Sequence, residues 1–257
     1  MKLAPDIVTV AERVASAEAV LVDMDGCLIA SGRALPGAER LIEMAGERLY
    51  LVSNNSSHSA GELAAWLAML GLSIPAERMV LAGELALHTA RQHFPHQPLM
   101  LLARTELQHY AATLGTTLDD ENPACVVLTR DLDLTYARLA QAIKHLSRGV
   151  PLLVANPDLT HPDWQGEPVP ETGSLLAMFR AAVPQLDHQV LGKPQPALFE
   201  AALVRAGARA EFSLMIGDNP VTDGAGAESL GIPFFQVGHA RDADAADIAR
   251  LLAMTLG

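Results

Sequence analysis

Asp23 and Asp25 lie in the stretch AVLVDMDGCLIASG (residues 19–32), two residues apart where an apolar run stops, with Gly26 behind them. Asp-Gly is a common way to leave a strand, so the pair alone fits a turn as well as a site. Two further apolar runs end in polar chemistry. RLYLV runs into Ser53-Asn54-Asn55-Ser56, and FSLMI into Gly217-Asp218-Asn219. Ahead of the last of these, LGKPQPALFEAAL carries Lys193, followed by Pro194, Pro196 and a helical pattern. These residue types suit phosphoryl transfer. Clustered carboxylates bind Mg²⁺, which prefers oxygen ligands and keeps several waters. A hydroxyl, backbone amides and an ammonium can hold phosphoryl oxygens. A carboxylate can itself be the nucleophile, giving an aspartyl-phosphate. In a straight strand Asp23 and Asp25 share a face. If the chain turns after Asp23, one can face phosphorus while the other reaches the leaving oxygen, and that second group needs some proton occupancy to act as an acid.

The elements that must position these groups read as alternating strands and helices. AVLV, RLYLV, RMVLAG, FSLMI and IPFFQV are short apolar runs of the strand kind, and GELAAWLAMLGL is an amphipathic helical pattern ending near Gly71. The stripe Leu63, Trp66, Leu67 and Leu70 on that helix reads as core. Such alternation predicts an α/β fold, a Rossmann-like doubly wound parallel sheet, with ligands outside the carboxyl ends of its strands. The middle repeats the alternation with other endings: PLMLLA, ACVVLT and VPLLVA as strands, ELQHYAATLG and LTYARLAQAIKHLSRG as helices. We therefore expect a catalytic core from residues 1–96 and 173–257 and an inserted smaller α/β cap from residues 97–172. A cleft between two such units is a favoured place for a substrate.

Composition bounds the partners. The 257 residues carry a net charge of −12, which disfavours nucleic acid and anionic membrane surfaces. A small anionic substrate is still allowed, because a bound cation reverses the local sign. Two distant cysteines, Cys27 and Cys125, read as free thiols of a reducing compartment. The N-terminal stretch is broken by Asp6, Glu12 and Arg13 where a signal peptide needs an apolar run. No run reaches the roughly 18 apolar residues of a membrane span. A soluble cytoplasmic protein is expected. The nine histidines show no HxH or HExxH pair and read as surface or packing residues.

In this order, DMDG, SNN, GKPQP and GDNPVTDGAGAESLG resemble the four motifs of the haloacid dehalogenase-like phosphohydrolases. The long insert with Asn156-Pro157-Asp158 is similar to the branch with a type-two α/β cap, which holds p-nitrophenylphosphatase-like, sugar-phosphate and nucleotide phosphatases. The resemblance covers nearly the whole chain. It implies a Mg²⁺-dependent phosphatase acting on a small phosphorylated metabolite. Asp23 would be nucleophile and metal ligand. Asp25 would protonate the leaving group, activate water and ligate the metal through its backbone carbonyl. Ser53, with backbone amides near Gly26 and Asn54, would bind phosphoryl oxygens. Lys193 would pair with Asp23 and the phosphate, Asp218 would complete the metal site, and Asp223 and Asn219 would support it. Ser53 stands where Thr is usual, His58 where Arg is frequent, and Glu171 where Gly is common.

Several residues keep two readings. Asp218 and Asp223 are also suited to capping the following helix. Asn156, Asp158 and His161 lie in a polar loop where Asn-Pro-Asp forms turns, and loops also contact substrates. Arg130 fits a substrate anion or a solvated surface. Cys27 reads as packing, since nothing cationic adjoins it. The alternatives to hydrolysis are phosphoryl transfer to an acceptor other than water, and a phosphoryl-ligand binding protein without turnover. A homodimer is left open.

Overall fold

The computed structural model describes residues 8–162 and 167–256. They form two compact units. One takes the chain up to Ser53, Gly61–Val80 and the chain from Phe199 onward; the other takes Asn54–Ala60 and Leu81–Leu198.

The first unit is built on a five-stranded sheet. Its order is Phe234–Gln236, Leu214–Gly217, Val20–Val22, Leu49–Ser53, Met79–Leu81. Leu214–Gly217 runs parallel to Phe234–Gln236 and to Val20–Val22, and Val20–Val22 runs parallel to Leu49–Ser53. Val20, Leu21 and Val22 are all fully buried. Burial on both faces explains why this strand reads as a continuous apolar run without alternation. The chain starts in the middle of the sheet, works outward through Leu49–Ser53 to Met79–Leu81, then returns on the other side of Val20–Val22. The order therefore reverses between Val20–Val22 and Leu214–Gly217, where a doubly wound sheet leaves its ligand crevice. The amphipathic pattern after His58 is the helix Ala60–Met69, and Gly71 follows it at φ 82°. A left-handed glycine just past the last turn is a common helix stop. Of its apolar stripe only Leu63 and Leu67 are fully buried; Trp66 and Leu70 are half-buried.

The second unit has a four-stranded parallel sheet ordered His188–Val190, Leu152–Val154, Cys125–Leu128, Leu99–Leu102. Its core joins Met100, Leu102, Val126, Leu128 and Val154 to Leu176 and Phe179 of the helix Thr172–Ala182. This unit is larger than the 97–172 expected from sequence. It gains the edge strand His188–Val190, whose burial pattern is half-buried, exposed, half-buried, so the sequence DHQV lacks the apolar run that marks the central strands. It also gains the helix Ala82–His93, in which Gly83 lies so close to Ser56 and Leu107 that a Cβ would meet their atoms at 3.0 and 2.9 Å. The loop after Asp158 contains a hairpin, Thr160–Pro162 against Pro168–Pro170. Prolines flank it on both sides, as suits a strand pair with open edges. Among the described residues no helix is long and apolar enough to cross a membrane.

Candidate active site

Asp23 extends the ladder by one residue beyond its strand: its N–H donates to Ile216 O at 2.9 Å. The chain then turns at once. Leu28 and Ile29 donate backbone N–H groups to Met24 O, Gly26 donates to Ile29 O, and Gly26 takes φ 79°. The turn reading of Asp-Gly is thus correct, and the turn is what parts the two acids. Asp23 is buried at 7% exposure, while Asp25 is exposed.

The neighbouring strand Leu214–Gly217 ends on the other side of the switch point and leads into a π turn, Pro220–Gly224. Asn219 opens that turn, its side chain accepting from Val221 N at 2.9 Å. Asp223 N donates to Asn219 O at 2.8 Å, and Asn219 N donates back to the Asp223 carboxylate at 3.2 Å. This reciprocal pair folds Asp223 back over the strand end. A Cβ on Gly217 would lie 2.3 Å from Asp223 Oδ2, so only glycine admits it there. The outcome is that carboxylate oxygens of Asp23, Asp218 and Asp223 lie within 4.8 Å of one another. Asp223, expected in a supporting place, stands in the cluster itself and is fully buried. The Asp25 side chain is outside this group.

The donor set fits Mg²⁺. Oxygens on opposite sides of an octahedral Mg²⁺ are about 4 Å apart, and the ion takes carboxylates in preference to nitrogen or sulfur. Three carboxylates sharing so small a space repel one another strongly unless a cation sits among them.

Ser53 closes its strand at 3% exposure. The residues after it belong to the second unit and form a polar network. The Asn54 side chain accepts from Lys193 N at 2.7 Å, and donates to Lys193 O at 3.1 Å and to Asp158 Oδ2 at 3.0 Å. Asn156 donates to Asn54 O at 2.9 Å and to Ser56 Oγ at 3.2 Å, while its Oδ1 accepts from Asp158 N. Asn156-Pro157-Asp158 is therefore a turn, and also a tie to the segment that follows Ser53. Ser56 also accepts from Arg130 N at 3.1 Å. Ser56 is a hub that the sequence does not advertise, one serine in the polar run SNNSSHS. Lys193 is only 2% exposed, which sets it apart from a solvated surface lysine.

Arg130 Nε lies 3.0 Å from Glu171 Oε1, an ion pair whose N–H is not aligned for a hydrogen bond. Glu171 in turn caps the helix Thr172–Ala182, accepting from Thr172 N at 2.9 Å. Arg130 is half-buried and paired, which sets it apart from a solvated arginine. His161 sits in the hairpin opposite Val169. Cys27 is buried with its Sγ 3.7 Å from Ile216 O, in keeping with packing. Burial pushes the Cys125 thiol up to about 12, far from a reactive thiolate.

The family model described as haloacid dehalogenase-like hydrolase matches residues 20–117, and a second, HAD-hydrolase-like model matches residues 190–252. The dihydroxyacetone phosphatase of Corynebacterium glutamicum is 32% identical over 206 residues, 79% of this chain and 74% of that protein. The D-glycerol 3-phosphate phosphatase of Mycobacterium tuberculosis is 31% identical, over 86% of this chain and 62% of that protein. Among solved structures, the 4-nitrophenylphosphatase of Thermotoga maritima matches with a TM-score of 0.85 at 28% identity, covering 94% of this chain and 98% of that one. The glycerol phosphate phosphatase of M. tuberculosis in complex with magnesium matches with a TM-score of 0.83 at 27% identity, covering 93% and 78%.

Proposed function

The chain belongs to the haloacid dehalogenase-like hydrolases and is a Mg²⁺-dependent phosphoric monoester hydrolase; from that premise we propose that Asp23 is its nucleophile and a small phosphorylated metabolite its substrate. The observation that carries this reading is the cluster of Asp23, Asp218 and Asp223 within 4.8 Å at the switch point of the sheet. These three carboxylates and the Asp25 carbonyl would hold Mg²⁺, and the ion would supply the positive charge that lets an anionic carboxylate approach an anionic phosphate.

In the first half-reaction an Asp23 oxygen forms a bond to phosphorus as the ester P–O bond breaks. Asp25 gives its proton to the departing alkoxide, so the alcohol leaves neutral and Asp25 is left as a carboxylate. In the second, Asp25 takes a proton from water as the water oxygen bonds to phosphorus, and the Asp23–O–P link breaks to release inorganic phosphate. The exposure of Asp25 suits a group that must meet both a leaving alcohol and an incoming water. Ser53, the backbone amides near Gly26 and Asn54, and the Lys193 ammonium hold the phosphoryl oxygens.

The names of the relatives favour a three-carbon phosphate ester over a nucleotide. The net charge of −12 favours a free metabolite over nucleic acid. The two buried free thiols suit the cytoplasm. An acceptor other than water is an alternative that the same residues would serve, and acceptor competition separates the two. The test is Asp23→Asn assayed with p-nitrophenyl phosphate and Mg²⁺. We expect turnover to fall by about 10³-fold or more, as when a nucleophile is removed. A variant that keeps wild-type rates would refute the assignment.

A further inference from the structure

We propose that the side chain of Asn54 is the positioning residue for Lys193, and that Asp158 fixes Asn54 in the orientation this requires. The inference rests on the catalytic place given to Lys193 above.

One primary amide makes three bonds at this point. Its Oδ1 accepts from Lys193 N at 2.7 Å and its Nδ2 donates to Lys193 O at 3.1 Å. Exchanging both bonds with the N–H and C=O of one residue is what an antiparallel strand neighbour does. The amide therefore stands in for a missing strand and locks the Lys193 peptide on both sides. A lysine has a flexible four-carbon stem, and where its ammonium arrives depends first on the orientation of its own backbone. The second Nδ2 proton goes to Asp158 Oδ2 at 3.0 Å. A carboxylate accepts only, so it selects the flip of the amide in which Nδ2 and not Oδ1 faces it.

A separate observation supports the clamp. Gly192, the residue before Lys193, comes so close that a Cβ on it would stand 2.6 Å from Asn54 Oδ1 and 2.6 Å from Ala155 O. The chain reaches this contact from the edge strand His188–Val190, just past which Leu191 N donates to Val154 O at 3.0 Å. Lysine, amide and carboxylate are far apart in sequence, at 193, 54 and 158, and all lie in the second unit. The Asn54 backbone N–H has its own expected task at the phosphate; the side chain has this different one.

The test uses the full chain with p-nitrophenyl phosphate and Mg²⁺. Asn54→Ala should lower kcat/KM by about 30- to 100-fold, most of it in kcat, because a misplaced catalytic group costs about 10²-fold per ångström or so. Asn54→Asp, which keeps size and shape, should lose as much, since it cannot donate to Lys193 O and faces Asp158 with a like charge. Adding Asp158→Asn to Asn54→Asp restores one donor between the pair, and should recover about tenfold of that loss. Thermal unfolding of the variants separates positioning from misfolding, and the exchanged pair carries the test if Asn54→Ala does not fold. The proposal is overturned if Asn54→Ala stays within threefold of wild type while Lys193→Ala is inactive, or if the exchanged pair recovers nothing. If Lys193→Ala itself keeps wild-type rates, the catalytic place of Lys193 falls and this inference with it, while the Asp23→Asn result still judges the nucleophile independently.

Discussion

Gly26 carries two constraints at once. Its φ of 79° lies in the left-handed region, and a Cβ there would stand 2.2 Å from Asp218 Oδ2. Gly32 separates the two effects, since it has φ 69° but open space, with nothing within 4 Å of where a Cβ would stand. Alanine at Gly32 should therefore cost only the backbone term, about 1 kcal/mol. Alanine at Gly26 should cost that and also push the Asp218 carboxylate out of the cluster. We expect Gly26→Ala to raise the Mg²⁺ concentration for half-maximal hydrolysis of p-nitrophenyl phosphate by about tenfold or more, a shift of about 1.4 kcal/mol in metal binding. Gly32→Ala should leave that midpoint in place. A Mg²⁺ titration of both variants decides it; equal midpoints would mean that Asp218 tolerates displacement. The sequence shows the acids, the hydroxyl and the lysine because their types and order are local. It cannot show that Asp223 joins Asp23 and Asp218, because that depends on a π turn, and no residue type marks one. Nor can it show the work of the Asn54 side chain, whose partners lie more than a hundred residues away.

At the scale of elements, the legible strands are those buried on both faces. Leu99–Leu102, Cys125–Leu128 and Leu152–Val154 are buried along their whole length, so an unbroken apolar run marks each. The edge strand His188–Val190 has no such run, and its silence in the sequence sets the expected boundary of the second unit too early. The helix Thr172–Ala182 shows how a glycine can dock one element on another. Gly173 N donates to Asp158 O at 2.8 Å, and a Cβ on Gly173 would stand 2.1 Å from Pro157 O. The obstacle is backbone, which cannot rotate away as a side-chain tip can. Gly173→Ala should force the Asn156-Pro157-Asp158 turn and the helix start apart, at a cost of about 2–3 kcal/mol in the range of overpacked cores. Urea unfolding should show the loss, with amide exchange faster in the first turns of Thr172–Ala182. The same change at Gly149, where φ is 87° and the space is open, should cost only about 1 kcal/mol. Equal losses at the two positions would rule out the backbone clash as the cause.

Over the whole molecule, acidic residues exceed basic ones by 12, and three of the carboxylates crowd one end of the core sheet. Two unit charges within 4.8 Å of each other repel by about 3 kcal/mol or more at an effective dielectric near 20. The unfolded chain relieves that repulsion by letting the groups separate. Mg²⁺ binds the folded arrangement and has no comparable site in the unfolded chain, so it should stabilise by mass action, about 2.7 kcal/mol at a hundred times its dissociation constant. The thermal midpoint should therefore climb with Mg²⁺ and not with an equal ionic strength of NaCl. Asp218→Asn makes the sign of each term visible. It removes one repelling charge and one ligand while keeping the shape of the side chain. The metal-free protein should become more stable by about 1 kcal/mol, and most of the Mg²⁺-dependent rise should vanish along with activity. Differential scanning calorimetry of both proteins, with chelator and across a Mg²⁺ series, reads the two effects separately. A variant less stable than wild type in chelator, yet still raised by Mg²⁺ to the same extent, would mean that the three carboxylates neither strain the fold nor hold the ion.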